Sequence, residues 1–224
     1  MPATQDTAIA YGVLTSDYCH EIEIKRSRFI CYLSRAESTA QARDAIEQVR
    51  AEHRTARHHC TAHVIGPDRM ERRSNDDGEP SGTAGMPMLD ALTKFQRPGV
   101  DAPDCSDVVA VVVRYFGGVL LGAGGLVHAY SDAVSQALQR AQFHTRRRMH
   151  RFSLPAPHAD AGRWENELRA EDVTVLETQY ELETARIQLA IVDEPAQHAR
   201  LHERIAALTA GSATLEDAGV AWVG

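Results

Sequence analysis

The stretch VVAVVVRYFGGVLLGAGGLVHAY, residues 108–130, decides the fold. Its opening run, 108–116, is almost entirely β-branched or aromatic, the composition of a strand buried on both faces. Its end is different: Leu126 and Tyr130, continued by Ala133, Val134, Ala137, Leu138 and Ala141, recur at helical spacing and predict a long amphipathic helix from Leu126. Between the two lie Gly117, Gly118, Gly122, Gly124 and Gly125. The segment therefore reads as strand, glycine loop, helix. Glycine is costly to order, so either close packing or a ligand requires the backbone to be bare there.

Upstream, residues 21–35 read as one strand or two. Ser38 with Gln41 makes a capping box for a helix that carries Ala42, Ala45, Ile46 and Val49 on one face. The strand HCTAHVIG follows, then a polar segment, SNDDGEPSGTAG at 74–85, too long for a tight turn, and a helix over Pro87–Phe95. Downstream, a strand at 151–157, a helix over Asp160–Ala170 and the strand VTVLETQY lead to a strand whose Ala185, Ile187, Leu189 and Ile191 alternate. Asp193 and Pro195 start a helix with Leu201, Ile205 and Leu208 inward and Gly211 past its end, and VAWV closes the chain. That order is βαββαβ, the ferredoxin-like sequence of elements. The fold class is α+β, in two domains, 1–145 and 146–224, with the boundary near 144–149.

The 224 residues suffice for two cores, and 43% hydrophobic against 25% charged residues, with 15 Gly and 9 Pro, exclude a mainly disordered chain. The net charge of −7 argues against a general nucleic-acid coat. Residues 1–145 hold 15 Lys+Arg against 18 Asp+Glu (−3), and 146–224 hold 9 against 13 (−4), so neither half is basic. KRSR at 25–28 and RRRMHR at 146–151 are the local basic patches. Cys19, Cys31, Cys60 and Cys105 form no C-x-x-C, no apolar run is long enough to span a bilayer, and the N-terminal residues lack a basic start followed by an apolar core. A reduced, cytoplasmic protein away from membranes is expected.

Amides at a helix N-terminus lack intrahelical partners and meet the positive end of the macrodipole, so the five glycines suit a phosphate or carboxylate. Their spacing fits neither the P-loop nor G-x-G-x-x-G, and close helix-to-sheet packing accounts for them equally well. In the second loop Asp76, Asp77 and Glu79 are acceptors and Ser81 and Thr83 donors. These suit Mg²⁺ or acid–base work, or else an ordinary surface loop that caps the next helix. His59 and His63 share one strand face while Cys60 points away, too few ligands for structural zinc. No nucleophile can be paired with a base, so no catalytic residue is named and no cofactor is expected beyond the Mg²⁺ option.

Three stretches together resemble the YigZ/IMPACT family: IKRSRFICYL at 24–33; HHCTAHVIG at 58–66 with SNDDGEPSGTAGMPML at 74–89; and VVVRYFGGVLLGAGGLVHAYSDA at 111–133. The βαββαβ tail is similar to that of the two-domain bacterial YigZ branch. The resemblance implies a first domain like domain 2 of ribosomal protein S5 and a ferredoxin-like second domain like one of a translocase elongation factor. Both relatives touch RNA or the ribosome. The kinase-pathway role of eukaryotic IMPACT is not carried over, because their additional N-terminal partner-binding domain is absent. Where the family commonly has a basic residue, His128 stands, which weakens that position as a fixed cationic contact. Carried over by position, the site comprises Arg28, Asp77, Glu79, Ser81, Thr83, Arg114, Tyr115 and the loop glycines.

The leading expectation is a non-enzymatic module that binds RNA or the ribosome and modulates translation, the loop amides, Lys25 and Arg28 meeting phosphates. The alternatives are an enzyme holding a small phosphorylated or carboxylated compound between the two loops, and a protein-interaction scaffold.

Overall fold

A computed structural model describes residues 8–171 and 173–224. The elements are β1 (Ala10–Leu14), β2 (Tyr18–Ile24), β3 (Ser27–Arg35), α1 (Thr39–Glu52), β4 (His58–Ile65), β5 (Glu71–Asn75), α2 (Gly85–Lys94), β6 (Val108–Tyr115), α3 (Gly122–Arg140), β7 (Phe143–Ala156), α4 (His158–Arg169), β8 (Thr174–Tyr180), β9 (Ala185–Val192), α5 (Pro195–Thr209) and β10 (Glu216–Val223). Contacts divide the chain into two units at Thr145 and Arg146. The protein is a mixed α/β structure.

The first unit is organised around β6, central in the antiparallel order β2-β3-β6-β4-β5. Its side chains divide by parity. Val108, Ala110 and Val112 pack with Leu92 of α2 and Tyr130, Ala133 and Ala137 of α3. Val109, Val111 and Val113 pack with Ala42 and Val49 of α1. Helices on both faces explain why this strand is apolar at every position from Val108 to Val113 although the sheet is antiparallel. Each fully buried valine contributes about 1.5–2 kcal/mol of transfer free energy. In α1, Ser38 Oγ accepts the Gln41 N–H at 3.3 Å, and Gln41 Oε1 accepts from Glu37 N at 2.7 Å. The capping box is thus closed one residue upstream of its usual partner.

In the second unit the antiparallel order is β8-β9-β7-β10. The inward residues Ala185, Ile187, Leu189 and Ile191 pack with Trp164 and Leu168 of α4 and Leu201 and Ile205 of α5. Among the described residues no helix is long and apolar enough to cross a membrane.

Three expectations are corrected. Helix α3 begins at Gly122, four residues before Leu126, because its first turn, Gly-Ala-Gly-Gly, has no side chain larger than a methyl to show a period. Helix α2 begins at Gly85, ahead of Pro87. Residues 74–75, assigned to the polar loop, end a strand, β5, whose polar sequence suits a sheet edge and carries no apolar alternation.

Candidate functional site

The loop between β5 and α2 is built on its carboxylates. Asp76 Oδ2 accepts the Gly82 N–H at 2.8 Å, while Oδ1 accepts those of Ala84 and Gly85 at 3.0 and 2.7 Å. It thereby closes the loop and satisfies the first amides of α2, whose N-cap residue Ala84 has no side chain to do so. Burial pushes the Asp76 pKa up, but the three N–H donations outweigh it and hold the carboxyl below its ordinary range. Asp77 accepts the His59 N–H at 2.6 Å and Arg50 Nη2 at 3.3 Å. Glu79 turns inward: its Oε1 accepts Arg114 Nη1 at 2.6 Å and the Tyr130 hydroxyl at 2.8 Å. Burial raises the Tyr130 pKa far above its usual value, so the phenol stays protonated and donates.

The three carboxylates therefore serve three separate structural tasks. Among the described residues they do not bring three ligand atoms within 4.8 Å of one another, so the Mg²⁺ and acid–base grouping of Asp76, Asp77 and Glu79 finds no converging geometry. Thr83 is buried and its hydroxyl donates to the Pro80 carbonyl at 2.6 Å, whereas Ser81 is exposed. His59 and His63 are buried in β4; His59 Nε2 lies 3.1 Å from the His53 carbonyl.

Arg114 and Tyr115, grouped in sequence, lie on opposite faces of β6. Arg114 faces Glu79 and Tyr130, with its guanidinium 5.4 Å from the Phe29 ring and 5.7 Å from Phe116. Its Nε is buried without a partner. The Tyr115 hydroxyl instead meets His53 Nδ1 at 2.9 Å, and His53 Nε2 meets Tyr32 at 2.6 Å. Arg28 is bidentate on Glu21 at 2.7 and 2.8 Å and lies over the Tyr115 ring.

The open part of the site is the mouth of α3. Leu121, its N-cap, makes no side-chain cap, and Gly118, Gly122, Ala123 and Gly124 are exposed. The five glycines have different jobs. A Cβ at Gly117 would collide with the Arg26 carbonyl, and its N–H donates to Ser27 Oγ at 3.2 Å. Gly118 and Gly122 have φ of +84° and +76°. A Cβ at Gly125 would come within 3.0 Å of Leu121 Cβ. Gly124 faces nothing within 4 Å and has no left-handed φ, so neither packing nor backbone conformation requires glycine there.

Beside this mouth lies the tip of the β2–β3 hairpin. The Ile24↔Ser27 pair leaves a two-residue turn of Lys25 and Arg26, both exposed, with φ of +47° and +65°. Positive φ at both central residues is the type I′ demand, normally met by Asn-Gly. Phe116, 48% exposed, sits at the end of β6 next to Gly117. Arg26 and Phe116 were not among the residues singled out from sequence. Arg26 stood inside KRSR, but the sign of its φ and its approach to Gly117 have no one-dimensional signal.

A groove of about 650 Å³ runs between α2 and α3. It takes Gly82 from the acidic loop and His128 from α3, but none of residues 117–125, so it is not the pocket between the two loops that a small-molecule enzyme would require.

The family model for the Impact N-terminal domain matches residues 25–138. The chain is 43% identical to the IMPACT family member YvyE of Bacillus subtilis, over 72% of this chain and 70% of that protein. It is 50% identical to the IMPACT family member YigZ of Escherichia coli, over 53% of this chain and 55% of that one. A crystal structure of a hypothetical protein, 34% identical, superposes with a TM-score of 0.60 and covers 92% of this chain and 96% of its own.

Proposed function

The chain belongs to the IMPACT family, and from that premise and the open mouth of α3 we propose that its first unit is a non-enzymatic module that binds RNA, on the ribosome or apart from it, and modulates translation in the cytoplasm. The observation that carries the reading is the exposed, uncapped N-terminus of α3 set against the Lys25–Arg26 turn. Exposed amides at a positive helix end donate hydrogen bonds to a phosphate. Two cations at the hairpin tip take its neighbours, and Phe116 offers a ring on which a base can stack. Gly124 adds to this, since a bare backbone that the fold does not need is what a phosphate approaching the amides requires.

The same reading extends to the fold. The order β8-β9-β7-β10 with α4 and α5 as crossovers supports a ferredoxin-like second domain, and the first unit's five-stranded sheet with its glycine loop supports likeness to domain 2 of ribosomal protein S5.

Fluorescence anisotropy with labelled single-stranded RNA, and co-sedimentation with ribosomes, test the function between 50 and 200 mM salt. About three phosphate contacts give a slope of log affinity against log salt of about −2. Lys25→Glu with Arg26→Glu should abolish most of the binding, whereas Arg28→Gln should change it little. No binding to RNA or ribosomes at the lowest salt, or binding indifferent to the hairpin substitutions, would end the proposal.

A further inference from the structure

The second unit gathers two imidazoles around one carboxylate. Strand β9 ends at Val192, and the ladder continues one residue further, Asp193 N–H donating to the Arg148 carbonyl at 2.9 Å. Pro195 opens α5, and one turn in, His198 places Nε2 2.8 Å from Asp193 Oδ1. From β7, His150 is paired with Ile191, so it emerges beside the end of β9 with Nδ1 3.5 Å from the same oxygen. The three ligand atoms lie within 4.8 Å of one another.

The second partners fix how these rings present themselves. His150 stacks on Phe152 at 4.4 Å and 14°, which sets its plane. Its Nε2 lies 3.0 Å from Asp217 Oδ1. A carboxylate only accepts, so Nε2 carries the proton, and in the neutral ring the Nδ1 lone pair is turned on Asp193 Oδ1. Lone pair then faces lone pair. The other Asp193 oxygen is held by Arg148 Nε at 2.8 Å, which orients the carboxylate and leaves Oδ1 toward the imidazoles. The side chains of His150 and Asp193 are 16% and 14% exposed, enough for an ion to enter and still partly shielded from water.

We propose that His150, Asp193 and His198 bind a divalent transition ion of the zinc type, through His150 Nδ1, Asp193 Oδ1 and His198 Nε2. Bonds of about 2.0–2.2 Å in tetrahedral array separate ligand atoms by about 3.4 Å, so the observed 3.5 Å needs no change and the 2.8 Å contact opens by roughly half an ångström as the ion replaces the shared proton. The fourth position is left to solvent. Asp217 acts on His150 as the carboxylate partners of metal-bound histidines do, fixing its tautomer and ring orientation.

The full-length chain is titrated with Zn²⁺ against a chromophoric chelator, and with Co²⁺ by visible absorption. One tight equivalent is expected, with a cobalt spectrum of nitrogen and oxygen ligands and no thiolate band, which sets it apart from the exposed Cys19. His150→Ala and His198→Gln should each remove that equivalent, and Asp217→Asn should weaken it by about 10–100-fold while keeping the stoichiometry. His198→Gln sits on a partly exposed helix face, and its far-UV spectrum separates lost ligation from lost folding. The site is refuted if the wild-type chain holds no tight equivalent, if folded His198→Gln retains it undiminished, or if the cobalt band is that of a thiolate.

Discussion

Replacing Lys25 by Asn and Arg26 by Gly should make the protein more stable and a poorer RNA binder at once. Both residues hold left-handed φ, +47° and +65°, at a cost of about 1–2 kcal/mol each for an ordinary L-residue. Asn tolerates that region and Gly enters it without penalty, so strain of about 2–3 kcal/mol is relieved. The flexibility Gly adds to the unfolded chain returns roughly 0.5–1 kcal/mol, leaving a net gain of about 1–2 kcal/mol. For a protein of 224 residues this corresponds to a melting-temperature rise of about 3–6 °C. Under the proposed function, binding moves the other way: two of about three phosphate contacts would vanish, and the salt slope should shrink by about 1.4. Differential scanning calorimetry and anisotropy titrations on the same preparation read both quantities. Strain is retained where the surroundings over-determine it, and such sites are often functional. A variant that melts lower than the parent, or that binds RNA with an unchanged slope, would refute this account of the turn.

Glu79→Ala leaves the buried Arg114 guanidinium uncompensated and should cost about 3–5 kcal/mol in urea unfolding, while adding Arg114→Met should recover a large part of the loss. Gly124→Ala should stabilise the fold by up to about 1 kcal/mol, since its Cβ meets open space, yet weaken RNA binding; unchanged affinity would show that the bare backbone is not used. The Asp76 carboxyl is depressed in the fold, so its contribution is present above the unfolded value near 3.8 and lost as pH falls through the lower folded one. Asp76→Asn should therefore unfold more easily at neutral pH, by about 1–2 kcal/mol in urea, and show a shallower loss of stability below pH 4.

The fold was legible where side chains carry a period. Strand β6 announced burial on both faces because its first six positions are all apolar, and β9 announced one buried face by alternation. Periodicity fails where side chains are missing or polar, which hid the first turn of α3 and the edge strand β5. In the site, sequence identified the loops but not the assignments within them. A loop that caps the next helix could be read, but the spacing along 76–79 gives no sign that Asp76 is the residue that does so, nor that Glu79 reaches Arg114 and Tyr130, which are 35 and 51 residues away. The opposed directions of Arg114 and Tyr115 did follow from strand geometry and could have been read from it. A left-handed Lys-Arg pair could not, because turn chemistry ordinarily points to Asn-Gly.

The absence of a side chain at Gly117 lets the backbone of the hairpin tip and that of the helix mouth touch directly, clasped further by Ser27. Two segments some ninety residues apart in sequence are thereby mechanically one body. A docking phosphate would meet a surface assembled beforehand, so little conformational entropy remains to be lost on arrival. Association should accordingly run as a single phase whose rate is set by diffusion and ionic strength, with no slower rearrangement behind it.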